Sequence, residues 1–146
     1  MLLSSASRML SRGISCGAAP RILIVDDDPN LLVLLADQLR ADGYEIATAR
    51  DGDEALRRLR TSWPDLLIID MMMPRMDGLE ATRAIRALPG PESKLPIIGL
   101  TAAAMPEDEA ACLAAGMDGY EKKPIGTERL RAAIMAAAAM REHIRA

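Results

Sequence analysis

Several features that mark particular classes of protein are scarce or absent in this sequence of 146 residues. Phenylalanine is missing, and aromatic residues make up only 2% of the chain. Lys and Arg number 18 against 21 Asp and Glu, which gives a formal net charge of −3, and no basic tract occurs. Binding of nucleic acid through a basic surface or through stacked aromatic rings is therefore not predicted.

Long apolar runs and cysteine patterns are also lacking. No window approaches the roughly 18 consecutive apolar residues of a membrane helix, so no membrane partner is predicted. The two cysteines, Cys16 and Cys112, form neither a disulfide framework nor a Cys-x-x-Cys pair. This fits a reducing compartment, and we expect a cytoplasmic protein.

Residues 1–19 differ in composition from the rest of the chain. They include Arg8, Arg12 and five serines but no acidic residue. We interpret them as a disordered extension or leader, with an organelle transit peptide, which tends to be rich in Arg and Ser, as the alternative. The remaining length, 20–144, suits about one domain, and no further output domain is predicted after it.

From Arg21 onward, short apolar runs alternate with segments of helical periodicity. The strands are predicted at Arg21–Val25, Tyr44–Ala49, Asp65–Asp70, Leu95–Thr101 and Tyr120–Lys123. Five strands alternating with five helices predict an α/β fold with a parallel sheet and helices on both of its faces.

Capping residues mark where several of these helices begin. Asp28 followed by Pro29 predicts the start of the first helix. Asp51–Glu54 and Asp77–Glu80 have the spacing of a capping box, and the third helix is predicted to reach Leu88.

Acidic residues follow two of the predicted strands. Asp26 and Asp27 come directly after the first strand, and Asp70 ends the third. Because parallel strands place their carboxyl ends at one edge of the sheet, these side chains are expected to lie together. Bare carboxylates at such separations repel, and an oxygen-rich group of this kind suits Mg²⁺.

Four motifs in this order resemble the response-regulator receiver domains of two-component signalling. They are Ile24-Val25-Asp26-Asp27-Asp28, the segment from Asp70 to Gly78, Leu100-Thr101-Ala102, and Lys123-Pro124. The resemblance covers about 21–144. It implies a flavodoxin-like, doubly wound five-stranded parallel sheet in the order 2-1-3-4-5.

The resemblance implies a phosphorelay chemistry for the acidic group. Asp70 would accept a phosphoryl group from a histidine kinase or a His-phosphotransferase protein. Asp26, Asp27 and Asp70 would hold Mg²⁺, together with the backbone carbonyl of Met72. Asp28 is expected to cap the first helix instead.

Three further residues are assigned through the resemblance. Lys123 would contact a phosphoryl oxygen, and we prefer it to Lys122 because it directly precedes Pro124, in an implied cis peptide bond. Thr101 would donate its hydroxyl to the phosphoryl group, and Tyr120 would move between outward and inward positions as its switch partner.

Two positions depart from the family pattern. The residues that tune attack by water lie two after the phosphorylated Asp and two after the switch Thr, and here they are Met72 and Ala103. Neither side chain can position a water by hydrogen bonding, so a long-lived or relayed phosphoryl group is predicted. The neighbouring cluster of Met71, Met72, Met73 and Met76 is interpreted either as a partner surface or as packing.

We expect a signalling domain rather than an enzyme that acts on a separate substrate. It would work by docking through the fourth helix, fifth strand and fifth helix, or by passing its phosphoryl group on, as receivers of hybrid sensor kinases do. The alternatives are a pseudo-receiver that serves as a protein-interaction module and a hydrolase that uses the same carboxylates. A haloacid-dehalogenase-like phosphatase is disfavoured because Asn30 stands where those enzymes have Thr or Val.

Overall fold

The computed structural model describes residues 20–73, 76–102, 105–123 and 126–145. Within these ranges five β-strands alternate with five α-helices, and a 3-10 helix, Gly90–Lys94, precedes the fourth strand. The elements are β1 (Arg21–Val25), α1 (Pro29–Ala41), β2 (Glu45–Ala49), α2 (Gly52–Thr61), β3 (Leu66–Asp70), α3 (Gly78–Arg86), β4 (Ile97–Thr101), α4 (Pro106–Ala115), β5 (Gly119–Lys122) and α5 (Thr127–Arg145).

The five strands form one parallel sheet in the order β2-β1-β3-β4-β5, which confirms the predicted fold. Val25 at the end of β1 lies opposite Ile69 in β3, and Asp70 lies opposite Leu100 in β4. The carboxyl ends of three neighbouring strands therefore meet at one edge of the sheet, where open α/β folds bind their ligands.

Each face of the sheet carries its own apolar core. Ile22 and Ile24 of β1 belong to the core beneath α1 and α5, whereas Leu23 and Val25 belong to the core beneath α2, α3 and α4. Successive side chains of a strand point to opposite faces, so a strand buried on both sides is apolar throughout. This explains why β1 and β3 read as unbroken apolar runs.

The predicted helix starts are confirmed, but several predicted boundaries are wrong. Asp28 caps α1 and accepts a hydrogen bond from the amide of Asn30 at 3.0 Å. The second strand begins at Glu45 and not at Tyr44, because the Tyr44 amide donates to the carbonyl of Leu39 at the end of α1. β3, β4 and β5 begin at Leu66, Ile97 and Gly119, whereas the sequence predicts Asp65, Leu95 and Tyr120, and β5 ends at Lys122, one residue before the predicted Lys123.

The third helix ends at Arg86 and does not reach Leu88. The amide of Leu88 donates to the carbonyl of Ile85, three residues earlier, so the backbone tightens into a turn there. This turn leads towards the 3-10 helix that follows.

Some of the predictions fall on parts of the chain that the structure does not describe. These are the segment 1–19, Ala103, and the Lys123-Pro124 peptide bond. Among the helices of the described ranges, none combines the length and the hydropathy that crossing a bilayer requires.

Candidate functional site

Three carboxylates meet at the carboxyl edge of the sheet. Asp26 follows β1, Asp27 comes next, and Asp70 is the last residue of the neighbouring β3. Each offers one oxygen atom, and these atoms lie within 4.8 Å of one another. Asp26 is fully buried and Asp70 is 4% exposed, while Asp27 faces solvent.

Backbone amides fix one oxygen of each buried carboxylate. The amide of Asp28 donates to Oδ1 of Asp26 at 2.9 Å, and the amide of Met72 donates to Oδ1 of Asp70 at 3.2 Å. The Asp26 amide itself donates to the carbonyl of Ala49 at the end of β2. The two Oδ2 atoms lie next to the ammonium group of Lys123.

Lys123 places its ammonium group between these two carboxylates. Its Nζ lies 2.7 Å from Oδ2 of Asp26 and 3.2 Å from Oδ2 of Asp70. Its backbone amide donates to the carbonyl of Thr101 at 2.7 Å, which ties the chain after β5 to the end of β4. Lys122, the other candidate from the sequence, is exposed at the end of β5.

The electrostatics of the group favour an additional cation. Burial raises the pKa of Asp70 and the charge of Asp26 raises it further, although the Met72 amide and Lys123 oppose the shift. Burial disfavours the charged form of Lys123, but the two carboxylates outweigh it and raise the pKa of this lysine.

Three carboxylates and one ammonium group leave a formal charge of −2 at the site. Carboxylate oxygens are ligands that Mg²⁺ prefers, and the ion usually takes only one or two of them together with water. The donor set of Asp26, Asp27 and Asp70 therefore fits a divalent magnesium ion in both chemistry and charge.

The predicted switch residues lie on neighbouring strands but face different surroundings. Thr101 is buried at the end of β4, beside the backbone of Lys123. Tyr120 instead packs partly against the core beneath α4, and its hydroxyl donates to Oε2 of Glu109 at 3.3 Å. Partial burial and the charge of Glu109 raise the pKa of Tyr120. The structure thus brings Thr101 to the carboxylate edge and directs Tyr120 towards α4.

The loop after β3 depends on Gly78, which closes the second sequence motif but for which the motif predicts no structural role. The amide of Gly78 donates to the carbonyl of Met71 at 3.2 Å, and a Cβ atom at this position would clash with the carbonyl oxygen of Asp70. A larger residue would therefore push against the backbone of the candidate phosphoacceptor. The signal in the sequence is the Asp77-Gly78 pair at the start of α3.

The four methionines around the site, interpreted from the sequence either as a partner surface or as packing, differ in their burial. Met71 is buried, and Met73 and Met76 are partly buried against the core, whereas Met72 is 74% exposed. Met72 is therefore the one residue of these four whose side chain is largely exposed to solvent. Its backbone borders the site, as the hydrogen bond from its amide to Asp70 shows.

Comparison with curated proteins finds relatives that contain the same domain within longer chains. The phosphate regulon transcriptional regulatory protein PhoB of Rhizobium meliloti is 44% identical over 117 residues, which is 80% of this chain and 51% of that protein. The sensor histidine kinase RcsC of Salmonella typhi is 40% identical over 129 residues, 88% of this chain and 13% of that protein. The chain thus spans about half, or less, of the curated relatives it matches.

Solved structures share the fold at similar levels of identity. The chemotaxis protein CheY4 of Vibrio cholerae has a TM-score of 0.77 and 33% identity, covering 82% of this chain and 99% of that one. The receiver domain of a sensor histidine kinase of Pseudomonas aeruginosa has a TM-score of 0.76 and 34% identity, covering 84% and 99%, and holds a magnesium ion in its active-site cleft. The response regulator receiver domain pattern matches residues 22–135, and the chain belongs to that family.

Proposed function

We propose that residues 20–144 form a phospho-accepting receiver in which Asp70 takes a phosphoryl group from phosphohistidine. The observation that carries this proposal is the convergence of Asp26, Asp27 and Asp70 within 4.8 Å around the ammonium of Lys123. The donor is a histidine kinase or a His-phosphotransferase protein, which are the proteins that supply this family with phosphoryl groups. Retention of the acidic group and the lysine disfavours the pseudo-receiver.

In the proposed reaction an oxygen of Asp70 attacks the phosphorus atom. The new O–P bond forms as the P–N bond of phosphohistidine breaks, and the imidazole leaves with the electron pair of that bond. Catalysis of this kind is mainly positioning and neutralisation of charge. The backbone amide of Met72 holds Oδ1 of Asp70, and this contact orients the carboxylate for attack.

Magnesium is the metal that the donor set suits. Asp26, Asp27, Asp70 and the Met72 carbonyl would hold the ion, which when bound supplies a Lewis acid for the phosphoryl oxygens. Lys123 supplies the second cation, because its Nζ lies 3.2 Å from Asp70 Oδ2 and would meet an oxygen of the attached phosphoryl group.

The proposed switch uses Thr101 and Tyr120. Thr101 is buried beside the Lys123 backbone, so its hydroxyl is the nearest candidate on β4 to donate to the phosphoryl group. Tyr120 would then exchange its hydrogen bond to Glu109 for an inward position. The face formed by α4, β5 and α5 would change shape as a result and bind a partner.

The relatives do not select between a switch and a relay. A transcriptional regulator and a sensor histidine kinase both contain the matched domain. The exposed side chain of Met72 offers no polar atom suited to orient an attacking water, which favours a phosphoryl group that persists long enough to be passed on. An Asp70 phosphate that hydrolyses within seconds at neutral pH would contradict this part of the proposal.

The test is the intact mass of the protein after incubation with acetyl phosphate and Mg²⁺. The wild type should gain one phosphoryl group only when Mg²⁺ is present, and Asp70→Asn should gain none. Asp28→Asn is the matched control, because this neighbouring acid caps α1, outside the carboxylate group, and Asn is an equally good cap.

A folded wild type that gains no mass would favour the interaction module instead. If the Asp28→Asn variant also gains no phosphoryl group, loss of any acid near the site abolishes labelling, and the assignment to Asp70 fails. Turnover of a generic phosphoester by the wild type would favour the hydrolase.

A further inference from the structure

A second concave site lies at the opposite end of the sheet from the carboxylates. A cavity of about 520 Å³ opens between the ends of α2 and α3, close to the start of β3. Its walls are apolar and consist of Leu56, Leu59, Trp63, Ala84 and Leu88. This volume falls within the range of about 300–1,000 Å³ that is typical of sites for small molecules.

Three polar residues, Arg60, Thr61 and Ser62, line one end of the cavity, and no acidic residue takes part in the lining. The Thr61 hydroxyl donates to the carbonyl of Arg58, and Oγ of Ser62 accepts a hydrogen bond from Nη1 of Arg21 at 2.9 Å. The Thr61 proton is therefore already used within the fold, and the Ser62 oxygen already faces a cation, the guanidinium of Arg21.

Arg60 is the arginine that lines the cavity, and among the described residues no neighbouring acid neutralises its charge. Arg58 pairs with Glu54 at 3.4 Å, and Arg86 pairs with Asp118 at 3.0 Å. Within the described part of the chain, Arg60 makes no ion pair or hydrogen bond of this kind. An uncommitted guanidinium group at the mouth of an apolar cavity is complementary to a ligand with a single anionic head.

We propose that this cavity binds a small amphipathic monoanion. Its apolar body would lie against Trp63 and Leu59, and its carboxylate would be held by the guanidinium of Arg60. A cationic ligand finds no carboxylate in the lining, and an uncharged one leaves the guanidinium unused. The site is separate from the carboxylate group, so its occupancy does not depend on phosphorylation of Asp70.

The chain provides its own reporter for this proposal. Trp63 is the only tryptophan in the sequence, and it lines the cavity. The probe is decanoate, titrated below its micellar concentration against the full chain while tryptophan emission is recorded. A saturable change with a Kd on the order of 1 mM or tighter is expected for a ligand of this size.

The charge of the head group is tested with matched ligands. Decanol and decyltrimethylammonium carry apolar tails of the same length without the negative charge. Each should bind at least about threefold more weakly than decanoate. Decanoate should also raise the midpoint of thermal unfolding, because a ligand that binds the folded state stabilises it.

Substitutions locate the site. Arg60→Gln should weaken the binding of decanoate by about threefold to tenfold and leave the affinity for decanol unchanged. Arg57→Gln is the matched control, since Arg57 is an exposed residue of the same helix outside the cavity lining. This variant should bind decanoate with the affinity of the wild type. Ala84→Leu places a larger side chain in the cavity and should weaken the binding of all three ligands. If that variant does not fold, Leu88→Ser, at a 39% exposed wall residue, takes its place.

Several results would overturn the proposal. These are an unchanged Trp63 emission, equal affinity for decanoate and decanol, or an Arg60→Gln variant that binds like the wild type. A lowered midpoint of thermal unfolding would indicate detergent action and not binding. Emission that depends on protein concentration without ligand would show that a second copy of the chain covers the cavity.

Discussion

The guanidinium of Arg86, at the end of α3, binds four residues in two other segments of the chain. Its Nε donates to the carbonyl of Gly116 at 2.8 Å, and its Nη1 donates to the carbonyls of Ser93 and Leu95 at 2.8 and 2.7 Å. Its Nη2 pairs with Oδ2 of Asp118 at 3.0 Å. We predict that replacing this side chain destabilises the fold far more than replacing a neighbouring exposed arginine.

The magnitude follows from what the substitution leaves behind. Arg86→Met keeps most of the apolar stem but removes the partner of a carboxylate and of three carbonyls. The side chains of Arg86 and Asp118 are 22% and 19% exposed, and burial lowers the pKa of Arg86 although Asp118 opposes the shift. Loss of one partner from a fully buried pair costs about 3–5 kcal/mol. Because water reaches this pair in part, we expect a loss of about 2–3 kcal/mol.

The assay is equilibrium unfolding in urea at pH 7. Arg83→Met is the matched control, since Arg83 is an exposed residue of the same helix, and it should change the free energy of unfolding by less than about 0.5 kcal/mol. Asp118→Asn and the double variant complete a cycle, in which a coupling of at least about 1 kcal/mol is expected. A loss for Arg86→Met no larger than that of the control, or a coupling near zero, would refute the reasoning.

Three further predictions concern the carboxylate edge of the sheet, and all are measured without Mg²⁺ unless stated. Gly78→Ala should destabilise the protein by about 2 kcal/mol or more and slow its labelling by acetyl phosphate with Mg²⁺, because the added Cβ would press on the backbone of Asp70. Gly119→Ala, whose Cβ meets nothing within 4 Å, is the control, and an equal loss in both variants would contradict the steric argument. Asp70→Asn should raise the free energy of unfolding at pH 7. The pKa of Asp70 is raised in the folded state, so its charged carboxylate destabilises the fold at any pH above the ordinary pKa of 3.8. The gain from Asn should therefore shrink as the pH falls towards 3.8. A gain that does not change with pH would oppose this assignment. Lys123→Met should lower stability at pH 7 by about 2–3 kcal/mol, because it leaves the buried carboxylate of Asp26 without a counter-ion, and added Mg²⁺ should stabilise this variant more than the wild type. Equal stabilisation of both would indicate that the ion does not bind at these carboxylates.

Much of the fold and of the carboxylate group followed from local sequence patterns. The apolar runs ending at Val25 and Asp70 identified β1 and β3 because strands buried on both faces lack polar residues. Parallel pairing then places the residues after these strands at one edge of the sheet. The cap formed by Asp28 was also predictable, since an N-cap depends on residues only two or three positions away.

Other features depend on contacts that no local pattern records. Arg86 and Asp118 lie 32 positions apart, and Arg86 has the same appearance in the sequence as the exposed Arg83. The expected capping box at Asp51–Glu54 forms only in part, and here the difference is local: Asp51 accepts a hydrogen bond from the amide of Glu54, but the Glu54 carboxylate does not accept one from the amide of Asp51. The Glu54 carboxylate accepts from the amide of Arg50, one residue before the cap, because the chain entering α2 brings that amide within 2.8 Å.

The position of Lys123 is set by the two ends of β5. This strand is the least buried of the five, so packing of its side chains gives it little support. At its start, Oδ2 of Asp118 accepts a hydrogen bond from the amide of Ile97 at 2.8 Å, and at its end the amide of Lys123 donates to the carbonyl of Thr101 at 2.7 Å. A slip by one residue would move Lys123 by about 3.3 Å, more than the whole 2.7 Å separation between its Nζ and Asp26. Hydrogen bonds at both ends therefore let a polar edge strand hold a cation in register with carboxylates at the ends of two other strands.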